Sequence, residues 1–292
     1  MSKAYRTALT TVCIGDKYRN TWERFSRKSW ELYAEKHDYS LVVIDEPIDR
    51  SDRGTARSPA WQKCLVLEHP ALREYERVVW IDADIVINTT TAPDILYGIP
   101  SEKIGAVISG AYLHEDLKVP FLERLRGRSY PPHQDSRVWS EDQRFWQHGL
   151  QHPTHEIVQT GVLVLSPSHH APLLRQVYDG QYPVDLPGYE QMPLSSAILV
   201  NDLLQHLNSR FNAVIYEILF ADYPYLLSSS VPNKQYLLAM AVAAVYVNAF
   251  FAHFAYQQDL VESLAMAANL WGSDRFPTEL GLFQEKGAMA CA

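Results

Sequence analysis

The chain has 292 residues, 47% of them hydrophobic and 21% charged, which suits one large α/β domain and excludes a chain disordered throughout. Its 26 Lys and Arg stand against 34 Asp and Glu, for a net charge of −8. That balance argues against a nucleic-acid polymer as partner, while a single nucleotide stays admissible where a bound metal neutralises its phosphates.

Residues 8–14 form the first predicted strand, apolar and β-branched, ended by Gly15-Asp16. Residues 18–36 follow with helical spacing and offer Trp22, Phe25, Trp30 and Tyr33 to one face. A second strand at 41–44 leads to a polar loop at 49–58. Pro59 opens a predicted helix that runs to about His69, where Pro70 ends it. Residues 78–81 make the third strand, with Asp82-Ala83-Asp84 at its end. Strands alternating with helices predict right-handed crossovers and an α/β fold, a mainly parallel sheet flanked by helices. Ligands of such sheets bind beyond the carboxyl ends of the strands, which is where Asp82 and Asp84 fall.

A fourth strand is predicted at 104–109 and a fifth at 158–165. Between them, residues 113–152 mix Pro131-Pro132 with several aromatics and read as helices and an acceptor-side excursion. Residues 183–193 read as a loop and 194–207 as a helix, while 220–231 alternate too weakly to assign. No charged residue occurs between Lys234 and Asp259, and 237–254 are almost wholly apolar. A membrane span needs about 20 such residues. Asn248 and His253 interrupt this run, so it reads as buried core divided between a helix and a strand. Cys13, Cys64 and Cys291 are too few and too scattered for a disulfide framework or a zinc cluster, and the first two read as small core residues. The N-terminus shows no export-signal pattern, and the chain is read as cytoplasmic.

The segment from Arg77 to Ile87 is the most informative. Side chains at i and i+2 on an extended chain share a face, so Asp82 and Asp84 at a strand's end bring two hard oxygen ligands to one divalent ion. Such an ion bridges diphosphate oxygens and carries the negative charge that grows as a sugar–phosphate bond breaks. The alternative is a pair that only caps a following turn. Two carboxylates in so apolar a neighbourhood favour metal or phosphate chemistry, because unpaired charges there are expensive.

This segment resembles the D-x-D motif of GT-A glycosyltransferases. The chain is similar to the retaining galactosyl/xylosyltransferase group related to fungal mannan-building enzymes, and more distantly to the glycogenin-like retaining group. The resemblance runs from Thr7 to Tyr256, with local matches at Trp61-Gln62-Lys63, around Asp82 and at Phe251 to Ala255. It implies a GT-A-like single catalytic domain, taken over 1–270, and the residues 271–292 beyond it read from the sequence as a peripheral tail. It also implies Mn²⁺, with Mg²⁺ as the alternative, and a UDP- or GDP-linked sugar donor. By the same resemblance Asp82 and Asp84 are the metal and diphosphate pair, and His253 is the late histidine that completes the metal site. Read without the family, His253 suits a core histidine bonded to backbone. Tyr256 stands where the family has a glycine, which puts a local phosphate contact in doubt.

Gln159-Thr160-Gly161 resembles the segment that lines the donor sugar, where the family more often has Asn. Gly161 lets backbone approach the sugar there, or it relieves strand crowding. Tyr189-Glu190-Gln191 looks like the acidic-Gln step near the anomeric carbon, and equally like loop residues before a helix. Asp142, in Ser140-Glu141-Asp142-Gln143, precedes the Gly161 strand, whereas the family's catalytic step follows it; Asp142 is kept as a candidate facing the acceptor. Lys63 matches a family lysine that approaches donor phosphate, although a partly exposed lysine is the commoner case. Asp16, after the first strand, lies where such folds meet the nucleotide. The expected reaction is metal-dependent, retaining transfer of a sugar to the hydroxyl of a carbohydrate or small-molecule acceptor. Two rivals stand beside it: a metal-dependent nucleotidyltransferase and a non-enzymatic carbohydrate-binding protein.

Overall fold

The apolar runs of the sequence pair into two sheets in a computed structural model that describes residues 6–129, 149–150, 156–182, 188–228, 230–255 and 259–271. The strands are β1 (Thr7–Val12), β2 (Ser40–Ile44), β3 (Arg77–Ile81), β4 (Ile85–Ile87), β5 (Ile104–Ile108), β6 (Val158–Leu165), β7 (Leu204–His206), β8 (Ala213–Val214) and β9 (Phe251–His253). The helices are α1 (Asp16–Thr21), α2 (Arg27–His37), α3 (Asp52–Ala56), α4 (Glu115–Ser129), α5 (Pro167–Asp179), α6 (Gln191–Val200), α7 (Ile215–Asp222), α8 (Lys234–Asn248) and α9 (Leu260–Trp271).

The larger sheet has the order β2-β1-β3-β6-β5-β7 and the smaller the order β4-β9-β8. In the larger sheet β2–β1, β1–β3 and β5–β7 are parallel, while β3–β6 and β6–β5 are antiparallel. The expected α/β class with a mainly parallel, mixed sheet is therefore what the chain forms. Its strands alternate between two cores. Val78 and Trp80 of β3 join Trp61, Leu163 and Leu194 on one face, and Val79 and Ile81 join Trp30, Val162 and Phe251 on the other. Burial on both faces is why these strands read as unbroken apolar runs.

Several predicted elements change in detail. The 18–36 helix is three pieces: α1, a π-helical turn at Trp22–Ser26, and α2. The predicted helix after Ser58 is a 3₁₀ helix, Pro59–Glu68, with every side chain from Trp61 to Leu67 buried and therefore no solvent face. The predicted helix at 194–207 starts earlier and stops at Val200. There the Asn201 side chain donates to the Ala197 carbonyl at 2.8 Å. Asp202 then turns left-handed (φ 51°), and the chain continues as β7 beside β5. The apolar run divides as expected into α8 and β9, and no helix among the described residues is long and apolar enough to cross a membrane. Cys13 and Cys64 are buried and free, as core residues.

The smaller sheet, α7, α8 and α9 enclose a third core, and Glu217, only 2% exposed, stands in α7 between two of its members, Tyr216 and Ile218. Burial raises its pKa from 4.5 to about 7, against a backbone hydrogen bond from Gly110 and the charges of His253 and Lys118. Between those two values the folded chain holds a proton the unfolded chain has lost, so stability falls as pH rises through that window. Glu217→Gln keeps an acceptor for Gly110 and removes the charge. We expect it to melt like the wild type near pH 4 and to be more stable above pH 7, by about 3 kcal/mol. Melting curves across pH check this, and equal differences at both ends would refute it.

Candidate metal centre

The acidic pair lies where the two sheets meet. β3 belongs to the larger sheet and β4 to the smaller, and Asp82-Ala83-Asp84 is the turn between them. The extended geometry expected from the i and i+2 pattern is replaced by this turn, in which Ile85 N–H donates to Asp82 O at 3.2 Å. Neighbouring elements hold the turn at every step. Asp82 N–H donates to Gly161 O of β6 at 2.8 Å, and Phe254 N–H donates to Asp84 O at 3.0 Å. Ser26, the last residue of the π-helical turn, donates its hydroxyl to Ala83 O at 3.1 Å, and Trp30 Nε1 donates to Ile85 O at 2.8 Å.

His253 reaches the same point from β9, which pairs antiparallel with β4 so that His253 stands opposite Ile85. Its Nε2 lies 3.2 Å from Asp84 Oδ1 and 4.0 Å from Asp82 Oδ2. One ligand atom from each of the three residues falls within 4.8 Å of the others. Neighbouring ligands of a small divalent ion with bonds of about 2.1 Å sit about 3 Å apart, and a mixed carboxylate–imidazole set suits a borderline cation. The donor chemistry fits the expected ion. Burial alone would lower the His253 pKa, but the adjacent charge and hydrogen bond of Asp84, with Asp82 beyond, outweigh it and hold the imidazole above its ordinary value.

The other oxygen of Asp82 is already engaged. Trp80 stands two residues before Asp82, and its Nε1 donates to Asp82 Oδ1 at 2.8 Å. Lys63 Nζ lies 3.2 Å from that same oxygen and 5.3 Å from the Trp80 ring centroid. Asp82 Oδ2 is thus the oxygen left to face His253 and Asp84. Lys63 is buried, not partly exposed. Its ammonium also donates to Glu190 Oε1 at 2.7 Å and Thr160 Oγ1 at 3.3 Å, while the Thr160 hydroxyl donates to Glu190 Oε1 at 3.2 Å. Desolvation pulls the Lys63 pKa down, yet Asp82 and Glu190 together raise it above the ordinary lysine value.

Gly161 makes this assembly possible. A Cβ there would fall 2.5 Å from His253 Cε1, 2.9 Å from His253 Nδ1 and 3.3 Å from Asn212 Nδ2. The direction in which a side chain would point is taken by the imidazole, which neither Asp84 nor Asn212 leaves free to move. Gly161→Ala should therefore push His253 off the aspartates, with an overpacking cost of about 1–3 kcal/mol. A melting curve together with a Mn²⁺ titration checks this; unchanged metal affinity would contradict it.

The fold thus brings together Lys63, Asp82, Asp84, Gly161, Glu190 and His253 from five separate segments. Gln191 opens α6 beside them, but its side chain donates to Val158 O at 3.3 Å. Asp16 is exposed at the start of α1, past the same end of the sheet, because β1 and β3 run parallel. Asp142 and Tyr256 lie outside the described residues. Sequence reading gave no site role to Trp80, Asn212 or Ser26. For Trp80 the signal was its place two residues before Asp82; for the other two, nothing local in sequence announces a role.

No family model and no curated protein matches the chain. Among solved structures, it is similar to a glycosyltransferase involved in glycosylation of the major capsid of PBCV-1, with 13% identity and a TM-score of 0.49, over 88% of this chain and 98% of that one. It is also similar to the WbbM bifunctional glycosyltransferase, with 14% identity and a TM-score of 0.49, covering 98% of this chain but 52% of that one. A third is the galactosyltransferase LgtC in complex with donor and acceptor sugar analogues, with 14% identity and a TM-score of 0.47, over 97% and 98% of the two chains.

Proposed function

We propose that this chain is a metal-dependent glycosyltransferase of GT-A type that moves a sugar from a nucleotide-sugar donor onto an acceptor hydroxyl. The observation that carries this reading is the convergence of Asp82 Oδ2, Asp84 Oδ1 and His253 Nε2 at the carboxyl end of β3. Ligands of parallel sheets bind at that end, and the donor set suits Mn²⁺ or Mg²⁺. When bound, such an ion supplies Lewis-acid stabilisation of the departing diphosphate.

The chain's own residues do the rest. Trp80 and Lys63 fix one oxygen of Asp82, so its second oxygen has a single orientation. Asp16 is assigned to the nucleotide, UDP or GDP. Glu190, only 3% exposed and tied through Oε1 to Lys63 and Thr160, suits electrostatic support of positive charge at the anomeric carbon better than nucleophilic attack. That favours front-side transfer with retention. The anomeric carbon loses its bond to the diphosphate oxygen and gains one to the acceptor oxygen, whose proton passes to the leaving phosphate. Gln191, at the N-terminal end of α6, and Asp142 are assigned to sugar and acceptor hydroxyls. The buried free thiols of Cys13 and Cys64 fit a reducing, cytoplasmic setting.

Incubation with a panel of UDP- and GDP-sugars, with and without Mn²⁺, tests the proposal. Release of free nucleoside diphosphate from one donor, only with metal present, is the expected result. Pyrophosphate release from a nucleoside triphosphate would replace it with nucleotidyl transfer, and no turnover of either kind would leave a binding protein.

A further inference from the structure

His253 offers two nitrogens, and only one can face the aspartates as a ligand. The other, Nδ1, lies 2.7 Å from Asn212 Oδ1, a buried contact across 41 residues of sequence. Asn212 closes a 3₁₀ turn, Ser209–Asn212, immediately before β8, whose Val214 pairs in register with His253. The Asn212 side chain is 1% exposed, and its Nδ2 has no hydrogen-bond partner among the described residues. A buried amide with an orphan donor costs about 1–3 kcal/mol, so a purely structural role would be better served by an apolar residue of the same shape. What Asn212 gives at that cost is an acceptor beside Nδ1. A carbonyl oxygen can only accept, so it favours a proton on that nitrogen, while the Asp84 carboxylate, 3.2 Å from Nε2, holds one on the other side until a cation displaces it.

We infer that Asn212 is the positioning residue of this centre: its carbonyl oxygen holds the His253 proton on Nδ1 and so presents Nε2, as an unprotonated donor, to the ion shared with Asp82 and Asp84. The metal half of this statement rests on the function proposed above; the tautomer half does not. Such outer partners fix the ring's orientation as well as its tautomer, and the lack of a side chain at Gly161 leaves both rings their room. An amide in this place, where a carboxylate would be more usual, leaves the imidazole a weaker donor. That matches a site which must release diphosphate after each turnover more than a permanently loaded structural one.

The test uses the full chain, metal-free, with ¹⁵N-labelled histidine and a long-range ¹H–¹⁵N spectrum recorded at alkaline pH, where imidazoles are neutral. In Asp84→Ala, which removes the carboxylate that otherwise holds a proton on Nε2, His253 should show a protonated Nδ1 and a bare Nε2; a bare Nδ1 there overturns the inference outright. Asn212→Leu in the same background should shift the proton to Nε2, and alone it should weaken Mn²⁺ binding by about 10–100-fold. Asn212→Asp restores the acceptor and should keep the proton on Nδ1 in that background and, alone, at least wild-type Mn²⁺ affinity. If Asn212→Leu in that background keeps the proton on Nδ1, or alone binds Mn²⁺ within about twofold of wild type, the role assigned to Asn212 is lost. If the wild type binds no Mn²⁺ while Asp84→Ala shows the expected tautomer, the functional proposal fails and the assignment of the His253 proton survives.

Discussion

Asp84→Asn should abolish metal-dependent sugar transfer, lowering kcat/KM by about 10²–10³-fold while the fold persists. The substitution keeps the shape of the side chain and an oxygen that can stay 3.2 Å from His253 Nε2, but it removes the charge that draws a cation. A backbone anchor survives as well, since Phe254 N–H bonds the main-chain carbonyl of Asp84. The expected signature is loss of Mn²⁺ binding in a titration together with loss of turnover, at a nearly unchanged circular dichroism spectrum. In the metal-free protein a second effect follows from His253. Its pKa is lowered by burial and raised more strongly by Asp84, with a net rise. Stability from a raised histidine is fully present below its unfolded pKa and is lost as pH rises through the folded one. The wild type should therefore outlast Asp84→Asn at acid pH, and the gap should close above the raised value. Undiminished transfer by Asp84→Asn at every metal concentration would remove the ground for the whole functional proposal.

Lys63→Met should be the most destabilising single change at the centre, costing about 3–5 kcal/mol. The lysine side chain is 4% exposed and holds Glu190, also 4% exposed, at 2.7 Å. Met fills similar volume but leaves the Glu190 carboxylate buried without its counter-charge and leaves Asp82 Oδ1 with only the Trp80 indole. A double-mutant cycle separates this from packing loss. Lys63→Met combined with Glu190→Gln should recover much of the melting temperature, because the uncompensated charge is gone. It should not recover activity, since both the tether on Asp82 and the charge proposed to support the anomeric carbon are then missing. Additive losses in the cycle would mean that the pair does not act as a unit.

How far the chain could be read in advance depends on how local the physics is. β1, β3 and β6 were legible because both of their faces are buried, which leaves continuous apolar runs. The three-residue strands β4 and β9 are too short to carry a period. β4 was absorbed into the apolar flank of Asp84, although its pairing with β9 is what delivers His253. At the site, the two aspartates stood out because paired acids in apolar sequence are rare. Lys63 and Glu190 are 127 residues apart and meet only through packing of the 3₁₀ helix and α6 against β6. Neither the burial of Lys63 nor its bond to Asp82 has a sequence period that announces it. Gly161 was legible as a point of close approach, but what approaches it, the His253 imidazole, is known only from the fold.

The order in which these parts leave the ribosome has its own consequence. Every strand of the larger sheet has been synthesised once His206 is in place, whereas the imidazole arrives with Phe251–His253. A nascent or truncated chain ending between those points contains the whole platform and both aspartates, yet lacks the strand that completes the grip. Chains that stop short of Phe251 would then lack one of the three candidate ligands and should hold a divalent ion more weakly than chains that include it.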